Sequence, residues 1–525
     1  MKVLLIVPTF KYAQNYPEFL SLSDFPTGLA YIAAALKQAG HEVYGCNPNN
    51  IIGFVNAKAM ITDVLTKMIK EVQPELIGLG GLCTDYPFFK DAIEIIRGVD
   101  PKICIVLGGQ IVTNDADDVF NLLKPDYAVV GDGEEAIVNL INRIQQPGIA
   151  TNDGSAGWKG DVTELLTNTI SSKIDNIDTI PQPDYEPFGI TDMMDNYSMA
   201  TRLLYRYSRT YPRPFGIVTA RGCPFSCTFC IDHHRTYRER SIENIMEEIK
   251  ITYEKYHYNI LLILDELFAV NQKRMREFCE AVIKGREQYG WDFDWTFQTH
   301  ASAKLDFETL KLAKQAGCYL FSYGLESASP TVLESMNKKI KPEQVIEAMG
   351  LAEEAKIGFS ANLIFGDVAE TQETIAESLS FWLTYAKKSF IFLSNVSPYP
   401  GSALFKSCQE KGIFTDKKAF YENIEKVTAN ATAIGDGAYK SFLSLFHFLE
   451  SSWLFTKSVP ITKKERLNEY SQLLTSQGGF YYLMTANCPY CGEEIQYRDR
   501  LLSTNEPFFI GTGCTKCGRK IKLEG

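Results

Sequence analysis

Short apolar runs alternate with amphipathic helical stretches through two long tracts of this 525-residue chain, and that alternation leaves few folds open. In the first tract, apolar strands are read at 3–7, 41–45, 76–80, 103–107 and 127–130. A helix at 28–39 falls between the first two, with Gly40 as its stop. Strands that are apolar throughout need cover on both faces, so an α/β fold with a doubly wound, flavodoxin-like parallel sheet is predicted for residues 1–145. In the second tract, strands are read at 215–220, 259–264, 293–298, 318–324, 357–364 and 389–396. Helices lie near 241–256, 271–288, 307–316, 341–355 and 371–386. Six such units predict a partial (β/α)6 barrel over 201–430, with its chemistry at the carboxyl ends of the strands. Residues 146–200, with their Asn, Asp, Gly and Ser clusters and the run Ile177-Asp-Thr-Ile-Pro-Gln-Pro-Asp-Tyr185, read as a connector.

The first barrel strand runs into Arg221-Gly-Cys-Pro-Phe-Ser-Cys-Thr-Phe-Cys230. Three cysteines spaced CxxxCxxC behind a strand fit as ligands to three irons of a four-iron cubane, whose usual protein donors are thiolates. If only three thiolates come from the loop, one iron is open to an exogenous ligand. A three-thiol zinc site completed by His233 or His234 is the other reading of this spacing. A disulfide does not suit a chain with no mark of secretion.

This segment resembles the radical S-adenosylmethionine (SAM) superfamily. The resemblance implies that Cys223, Cys227 and Cys230 hold a 4Fe-4S cluster and are the catalytic cysteines. It implies that the open iron binds the amino and carboxylate groups of SAM and reduces it to a 5′-deoxyadenosyl radical. Other strand ends carry matching residues. Gly324-Leu-Glu-Ser327, followed by Met336-Asn-Lys338, resembles the fourth-strand motif that contacts SAM, which implies roles for Glu326 and Ser327. Asp265 and Glu266 stand where the family's second-strand acids hold the SAM amino group, and an ammonium gains charge-assisted hydrogen bonds there. His300, in Gln298-Thr-His-Ala301, closes the third strand where many relatives carry an arginine, which leaves the partner of the SAM carboxylate or ribose open. Phe365-Gly366-Asp367 and Pro398-Tyr-Pro-Gly-Ser402 close the fifth and sixth strands.

The first tract is rich in glycine at its strand ends: Gly78, Gly80 and Gly81, then Gly108 and Gly109, then Gly131 and Gly133, with Glu134 behind the last. Ligands of such sheets bind beyond the carboxyl ends of the strands, and glycine lets backbone approach a ligand closely. Pro26-Thr-Gly-Leu-Ala-Tyr-Ile-Ala-Ala-Ala-Leu, Ala39-Gly-His-Glu-Val43, Val106-Leu-Gly-Gly109 and Val130-Gly-Asp-Gly-Glu134 resemble the cobalamin-binding domain that precedes many radical SAM domains. The resemblance implies cobalamin held around Gly80, Gly108, Gly109, Gly131, Gly133 and Glu134. The chain has no Asp-x-His-x-x-Gly motif, so a histidine lower ligand to cobalt is not implied. A ligand-free, response-regulator-like domain is the alternative.

Residues 201–240 hold eight arginines (202, 206, 209, 213, 221, 235, 238 and 240) against Asp232 and Glu239, with Tyr205, Tyr207, Tyr211 and Tyr237 interleaved. Arginine forks suit phosphate or carboxylate, so the segment reads either as a site for an anionic group or as arginines paired with acids of neighbouring loops. Residues 431–483 are expected to be a helical, aromatic extension. Beyond them, Cys488-Pro-Tyr-Cys491-Gly and Cys514-Thr-Lys-Cys517-Gly, 22 residues apart, are expected to form a zinc ribbon over 484–525 with zinc closed by four thiolates. A second iron–sulfur cluster or a redox dithiol is the other reading of the pairs.

Composition narrows the partners. Lys+Arg 53 against Asp+Glu 64 gives a net charge of −11, which disfavours a general nucleic-acid or anionic-membrane binder. The N-terminus reads as a first buried strand and not a signal peptide, and the apolar stretch 441–455 is broken by His447 and Glu450. A cytoplasmic protein without a membrane span is expected, and its thirteen cysteines suggest metal and cluster chemistry. The expected function is a cobalamin-dependent radical SAM enzyme, a C-methyltransferase that passes a methyl group from SAM through methylcobalamin to an unactivated carbon. Its substrate is a small or carrier-bound molecule, and its electron donor a flavodoxin or ferredoxin. Cyclisation or ring rearrangement is the alternative. A tRNA methylthiotransferase ranks below these, because Thr9 and Phe10 offer no early cysteine beside Cys46, Cys83 and Cys104. A cobalamin sensor has no need of the three-cysteine loop.

Overall fold

In the computed structural model the described residues are 1–9, 12, 25–51, 54, 56–145, 169–195, 208–231, 236–424, 430–453, 455–471, 479–501 and 508–525. The chain divides into two compact units. One is Met1–Ser198 with Ile231–His233 and Tyr399–Val427; the other is Met199–Cys230 with His234–Pro398 and Thr428–Gly525.

The first unit is built on β1 (Lys2–Ile6), β2 (Glu42–Cys46), β3 (Leu76–Gly80), β4 (Cys104–Gly108), β5 (Tyr127–Gly131) and β6 (Thr169–Ser172). Their order is β2-β1-β3-β4-β5-β6, and all pairings are parallel. The order reverses between β1 and β3, the switch point at which doubly wound sheets bind ligands. Leu4, Ile6, Ile77, Leu79, Ile105 and Leu107 are buried in one core with Phe88, Phe89 and Ile93. The sixth strand comes from the stretch read as a connector: Thr169-Ile-Ser-Ser172 has one apolar residue in four, too short a pattern to register as a strand. Residues 399–427, read as the end of the barrel, pack in this unit instead. Phe405, Phe420, Tyr421 and Ile424 join its core, and Tyr421 stacks on Tyr86 at 4.9 Å. The two short helices there, Ala403–Glu410 and Lys417–Glu422, show an apolar face but not which core receives it.

The second unit holds β7 (Pro214–Ile217), the small antiparallel pair β8 (Ala220–Arg221) and β9 (Arg238–Glu239), then β10 (Ile260–Ile263), β11 (Asp294–Thr299), β12 (Cys318–Glu326), β13 (Gly358–Phe365) and β14 (Phe390–Asn395). Six of these form an open parallel sheet in the order β14-β13-β12-β11-β10-β7. This is the expected partial barrel. Its helices start where side chains cap them: Ser241, Asn271, Asp306 and Thr371 each accept a hydrogen bond from the backbone N–H three residues on. Aromatic rings fill the interior, with Phe268, Phe278 and Trp295 in edge-to-face contact and Phe297 stacked on Phe321 at 5.6 Å.

The expected helical extension ends early. A single helix, Asp436–Ser452, is followed by β15 (Ser458–Pro460), β16 (Lys463–Ser471) and β17 (Gly479–Asn487), then β18 (Glu494–Leu501), β19 (Phe509–Gly513) and β20 (Lys520–Glu524). Gly479-Phe-Tyr-Tyr-Leu-Met-Thr-Ala-Asn487 is aromatic enough to suit either state, and its antiparallel ladder with β18 decides it. These strands make two three-stranded sheets around Met484, Ile495, Tyr497, Ile510 and Ile521. Among the described residues, no helix is long and apolar enough to cross a membrane.

Candidate active site

The cysteine loop leaves β7 through Thr219, whose polar atoms are all engaged. Its N–H and hydroxyl donate to the two carboxylate oxygens of Asp265, at 2.6 and 2.5 Å. Its carbonyl accepts from the Arg240 N–H at 3.0 Å and from the Arg274 guanidinium at 3.1 Å. Arg240 is ion-paired with Glu248, which is fully buried, and Arg274 also donates to the Arg240 carbonyl at 3.0 Å. The loop is therefore anchored at its base by a buried polar network centred on Thr219. Gly222, at φ +84°, turns the chain into the cysteines in a backbone region that favours glycine.

The far side of the loop is clamped by the segment after β12. The Thr228 N–H donates to the Met336 carbonyl at 3.0 Å, and the Asn337 side-chain amide donates to the Ser226 carbonyl and hydroxyl, both at 2.9 Å. Phe225 stacks on His300, with ring centroids 3.9 Å apart. None of the three loop cysteines is in a disulfide; Cys223 and Cys227 are half-buried and Cys230 is exposed. Desolvation raises all three thiols, Cys230 to about 12. A metal that takes thiolates displaces those protons on binding.

Lys338 supplies the cation beside this loop. Its ammonium lies 2.9 Å from Glu326, and both side chains are buried. Burial opposes the ammonium, but Glu326, Cys227 and Cys223 outweigh it, so the Lys338 pKa stands above its ordinary value. Glu326 sits at φ +67° where the β12–β13 register shifts, which turns its side chain back over Gly324. A Cβ at Gly324 would collide with the Glu326 carboxylate and come within 2.8 Å of the Lys338 ammonium, so glycine lets the pair sit directly over the strand end.

The expected SAM-binding residues separate into two groups. Glu266 and His300 offer free atoms. Glu266 is exposed at the end of β10, and its charge raises the thiols of Cys223 and Cys230. His300 is buried, its Nδ1 accepts from the Ser302 N–H at 3.2 Å, and its Nε2 has no hydrogen-bond partner. Desolvation, then Lys338, lowers the His300 pKa to about 4, so the ring is neutral near pH 7. Asp265 and Ser327, in contrast, are occupied within the protein. Asp265 holds Thr219, and the Ser327 hydroxyl meets Ser378 at 3.1 Å and accepts the Ser329 N–H at 3.1 Å. Three residues of this site were not singled out from sequence. Asn337 and Lys338 lay inside the Met336-Asn-Lys338 run, whereas nothing in the local pattern marks Thr219.

Of the arginine-rich segment, Arg209 is paired with Asp292 and Asp294 at 2.7 and 2.9 Å, and Arg240 with Glu248. These arginines meet acids of neighbouring elements. Arg202, Arg206 and Arg235, Tyr205 and Tyr207, and His233 and His234 lie outside the described residues.

In the first unit the strand-end glycines lie side by side. Gly80 of β3 and Gly108 of β4 are in register. Gly109, at φ +82°, lies so close to Gly81 that a Cβ would reach 2.6 Å from the Gly81 nitrogen. The Ile111 N–H donates to the Gly81 carbonyl at 3.1 Å, and the Thr113 hydroxyl joins the Gly109 carbonyl to the Gly131 N–H, both at 3.0 Å. Asp132 accepts the Ile174 N–H at 2.8 Å, Gly133 packs on Ile32, and Glu134 is buried in the helix that follows. Thr9, just beyond β1, is buried with a hydroxyl that has no hydrogen-bond partner. A row of backbone without side chains, with an unsatisfied hydroxyl beside the switch point, fits a flat polar cofactor.

Cys488, Cys491, Cys514 and Cys517 are gathered with their sulfurs all within 4.8 Å of one another. The three loop cysteines do not form so tight a set, as thiolates bound to different irons need not.

Two family models match the chain: the B12 binding domain at residues 24–141 and the Radical SAM superfamily at residues 217–381. An uncharacterized methyltransferase of Pyrococcus horikoshii is 27% identical over 414 residues, 77% of this chain and 83% of that protein. The anaerobic magnesium-protoporphyrin IX monomethyl ester cyclase of Cereibacter sphaeroides is 26% identical over 407 residues, 74% of this chain and 60% of that protein. Among solved structures, the cobalamin-dependent SAM radical enzyme OxsB, with aqua-cobalamin and SAM bound, aligns at TM-score 0.61 and 15% identity, over 86% of this chain and 67% of its own. The radical SAM methyltransferase TsrM from Kitasatospora setae, with cobalamin and a 4Fe-4S cluster bound, aligns at TM-score 0.58 and 17% identity, over 78% and 75%. At these identities the structural likeness establishes a shared fold.

Proposed function

The chain belongs to the radical SAM superfamily and carries a B12 binding domain ahead of the radical SAM domain, and on that premise we propose that it is a cobalamin-dependent methyltransferase acting at an unactivated carbon of a small molecule. The observation that carries this reading is the loop of three cysteines outside any disulfide, anchored at Thr219 and clamped by Asn337, beside a buried Lys338–Glu326 pair. When bound, a 4Fe-4S cluster, SAM and cobalamin supply the electron, the radical chemistry and the methyl group.

The chain's own residues bind and aim these groups. Cys223, Cys227 and Cys230 hold the cluster. Glu266 takes the SAM amino group, since it carries the unengaged carboxylate at the end of β10. Lys338 provides a fixed positive charge for the carboxylate end of SAM and keeps Glu326 in place to accept hydrogen bonds. The neutral His300 donates through Nε2, because its Nδ1 is committed as an acceptor to Ser302. Asp265 is a positioning residue that acts through Thr219. In the first unit, Gly80, Gly108, Gly109 and Gly131 with Thr9 receive cobalamin, and Gly133 and Glu134 support that edge. The four C-terminal cysteines hold zinc. The electron comes from a flavodoxin or ferredoxin of the cytoplasm, and the substrate is free or carrier-bound.

A cyclisation or rearrangement is the second reading, favoured by the cyclase relative, of whose length the chain spans 60%. Anaerobic reconstitution with iron, sulfide and cobalamin, followed by SAM and a strong reductant, separates the two. Methyl transfer yields 5′-deoxyadenosine together with S-adenosylhomocysteine; deoxyadenosine without S-adenosylhomocysteine supports rearrangement. Formation of neither by a fully loaded protein rejects both.

A further inference from the structure

The two cysteine knuckles of the C-terminal module repeat one backbone pattern. The Gly492 N–H donates to the Cys488 carbonyl and the Gly518 N–H to the Cys514 carbonyl, both at 2.9 Å. The Cys488 N–H donates to the Glu493 carbonyl and the Cys514 N–H to the Arg519 carbonyl, again at 2.9 Å. Each knuckle closes on a glycine of positive φ, +78° and +72°. The sulfurs meet across the two knuckles, Cys488 with Cys517 and Cys491 with Cys514, at 3.8 Å in both cases. Four thiols presented by matched turns leave no open ligand position, the arrangement of a structural zinc site.

The second knuckle is also wedged beneath the barrel sheet. Gly518 lies against the backbone of Gly358, the first residue of β13, where a Cβ would come within 2.8 Å of the Gly358 Cα. The Lys520 N–H donates to the Lys388 carbonyl at 2.8 Å, just ahead of β14, and its ammonium reaches the Ala386 carbonyl at 3.4 Å. Arg519 and Lys388 both pair with Glu353, at the end of the helix that precedes β13. From the first knuckle, the Tyr490 hydroxyl donates to the Lys387 carbonyl at 3.3 Å. All these contacts are with the turns that enter β13 and β14, at the amino ends of the strands. The cysteine loop and Glu326 stand at the carboxyl ends of β7 and β12. β14 is an edge strand of the open sheet.

We propose that the four-thiolate zinc site is a structural brace that holds the open β13–β14 edge of the partial barrel from its amino end, and that it neither carries electrons nor receives a carrier at the catalytic mouth. A barrel that does not close lacks a neighbour for its last strand, and in barrels of this type the amino end serves stability while the carboxyl end serves chemistry. The helix Asp436–Ser452 and Trp453 pack on these strands through Phe442 and Phe390, and a rigid metal knuckle adds support at their amino ends. The inference rests on the zinc reading above, and the experiment keeps the two apart.

The test uses the full-length chain, loaded anaerobically with its 4Fe-4S cluster. Elemental analysis of the wild type is expected to give one zinc per chain besides the cluster iron; iron in place of zinc overturns the zinc reading alone. Hydrogen exchange is then followed by mass spectrometry in wild type, Cys514→Ser and Gly518→Val. Cys514→Ser is expected to lose zinc, and exchange in peptides spanning 353–362 and 384–395 to rise at least tenfold, with the electron paramagnetic resonance signal of the cluster unchanged. Gly518→Val keeps all four thiols and is expected to retain zinc while showing the same loss of protection. Wild-type protection in those peptides in both variants, or a changed cluster signal on loss of zinc, overturns the brace.

Discussion

Lys338 and Glu326 face each other at 2.9 Å on opposite ends of the twelve-residue step from β12 to the segment that clamps the cysteine loop. The pair is buried, it passes over Gly324 where a Cβ would displace it, and its cation lies within electrostatic reach of Cys223 and Cys227. It thus joins the conformation of the fourth strand end to the charge beside the thiols. Lys338→Met removes the cation and leaves a buried carboxylate unpaired, which costs roughly 3–5 kcal/mol. Urea unfolding of the variant should show a loss of that order, and Lys338→Met combined with Glu326→Gln should recover most of it. A single variant as stable as wild type contradicts the pair's assigned role.

The two acids at the end of β10 should separate cleanly in function. Burial pushes the Asp265 pKa up to about 7, and Asp265→Asn sets an amide NH2 against one of the two Thr219 donors, leaving a buried donor unsatisfied at a cost of about 1–3 kcal/mol. Less iron per chain should survive reconstitution, while SAM affinity per loaded cluster stays at the wild-type value. Glu266→Gln should load iron normally and bind SAM about tenfold more weakly, the loss of one charge-assisted hydrogen bond. Iron content and SAM titration decide the matter, and the reverse pattern returns Asp265 to the SAM site.

Gly109 tests the proposed placement of cobalamin along the glycine row. Gly109→Ala forces a side chain into a backbone conformation, φ +82° and ψ −171°, essentially reserved to glycine, costing about 1–3 kcal/mol, and pushes the new Cβ against Gly81. Cobalamin affinity, read by visible absorption, should fall at least tenfold while the iron content is unaffected. Gly98→Ala, on a helix with nothing near its Cβ position, is the matched control and should bind cobalamin as wild type does.

Glu370 gives the fold a pH dependence. It is buried after β13, accepts the Gly366 N–H, and its other carboxylate oxygen has no hydrogen-bond partner. Burial pushes its pKa up to about 7. The unfolded chain releases this proton near ~4.3, so between that value and about 7 the folded state binds the extra proton. Glu370 therefore adds stability that is complete below the unfolded value and declines as pH rises towards 7. Urea midpoints of the apoprotein from pH 4.5 to 8 should fall over this window, and Glu370→Gln should flatten the fall. Parallel profiles for the two proteins speak against the assignment.

Much of the architecture was legible in residue pattern alone. All six barrel strands and all five expected helices lie within three residues of their expected bounds, because apolar periodicity and side-chain caps are local properties. The three loop cysteines, the acids at the end of β10 and the Gly324–Ser327 run were likewise visible as residue types in order. Tertiary contact decided what each of them does. Asp265 and Glu266 are neighbours in sequence with opposite surroundings, and only the approach of Thr219 engages one of them within the protein. Residues 399–427 carry apolar faces that suit any core, and Tyr86 with Phe88 selects one. Lys338 becomes part of the site because a shift in register turns Glu326 back onto it. Order along a chain records composition and period; partnership between residues of different elements is set by packing, which no local pattern contains.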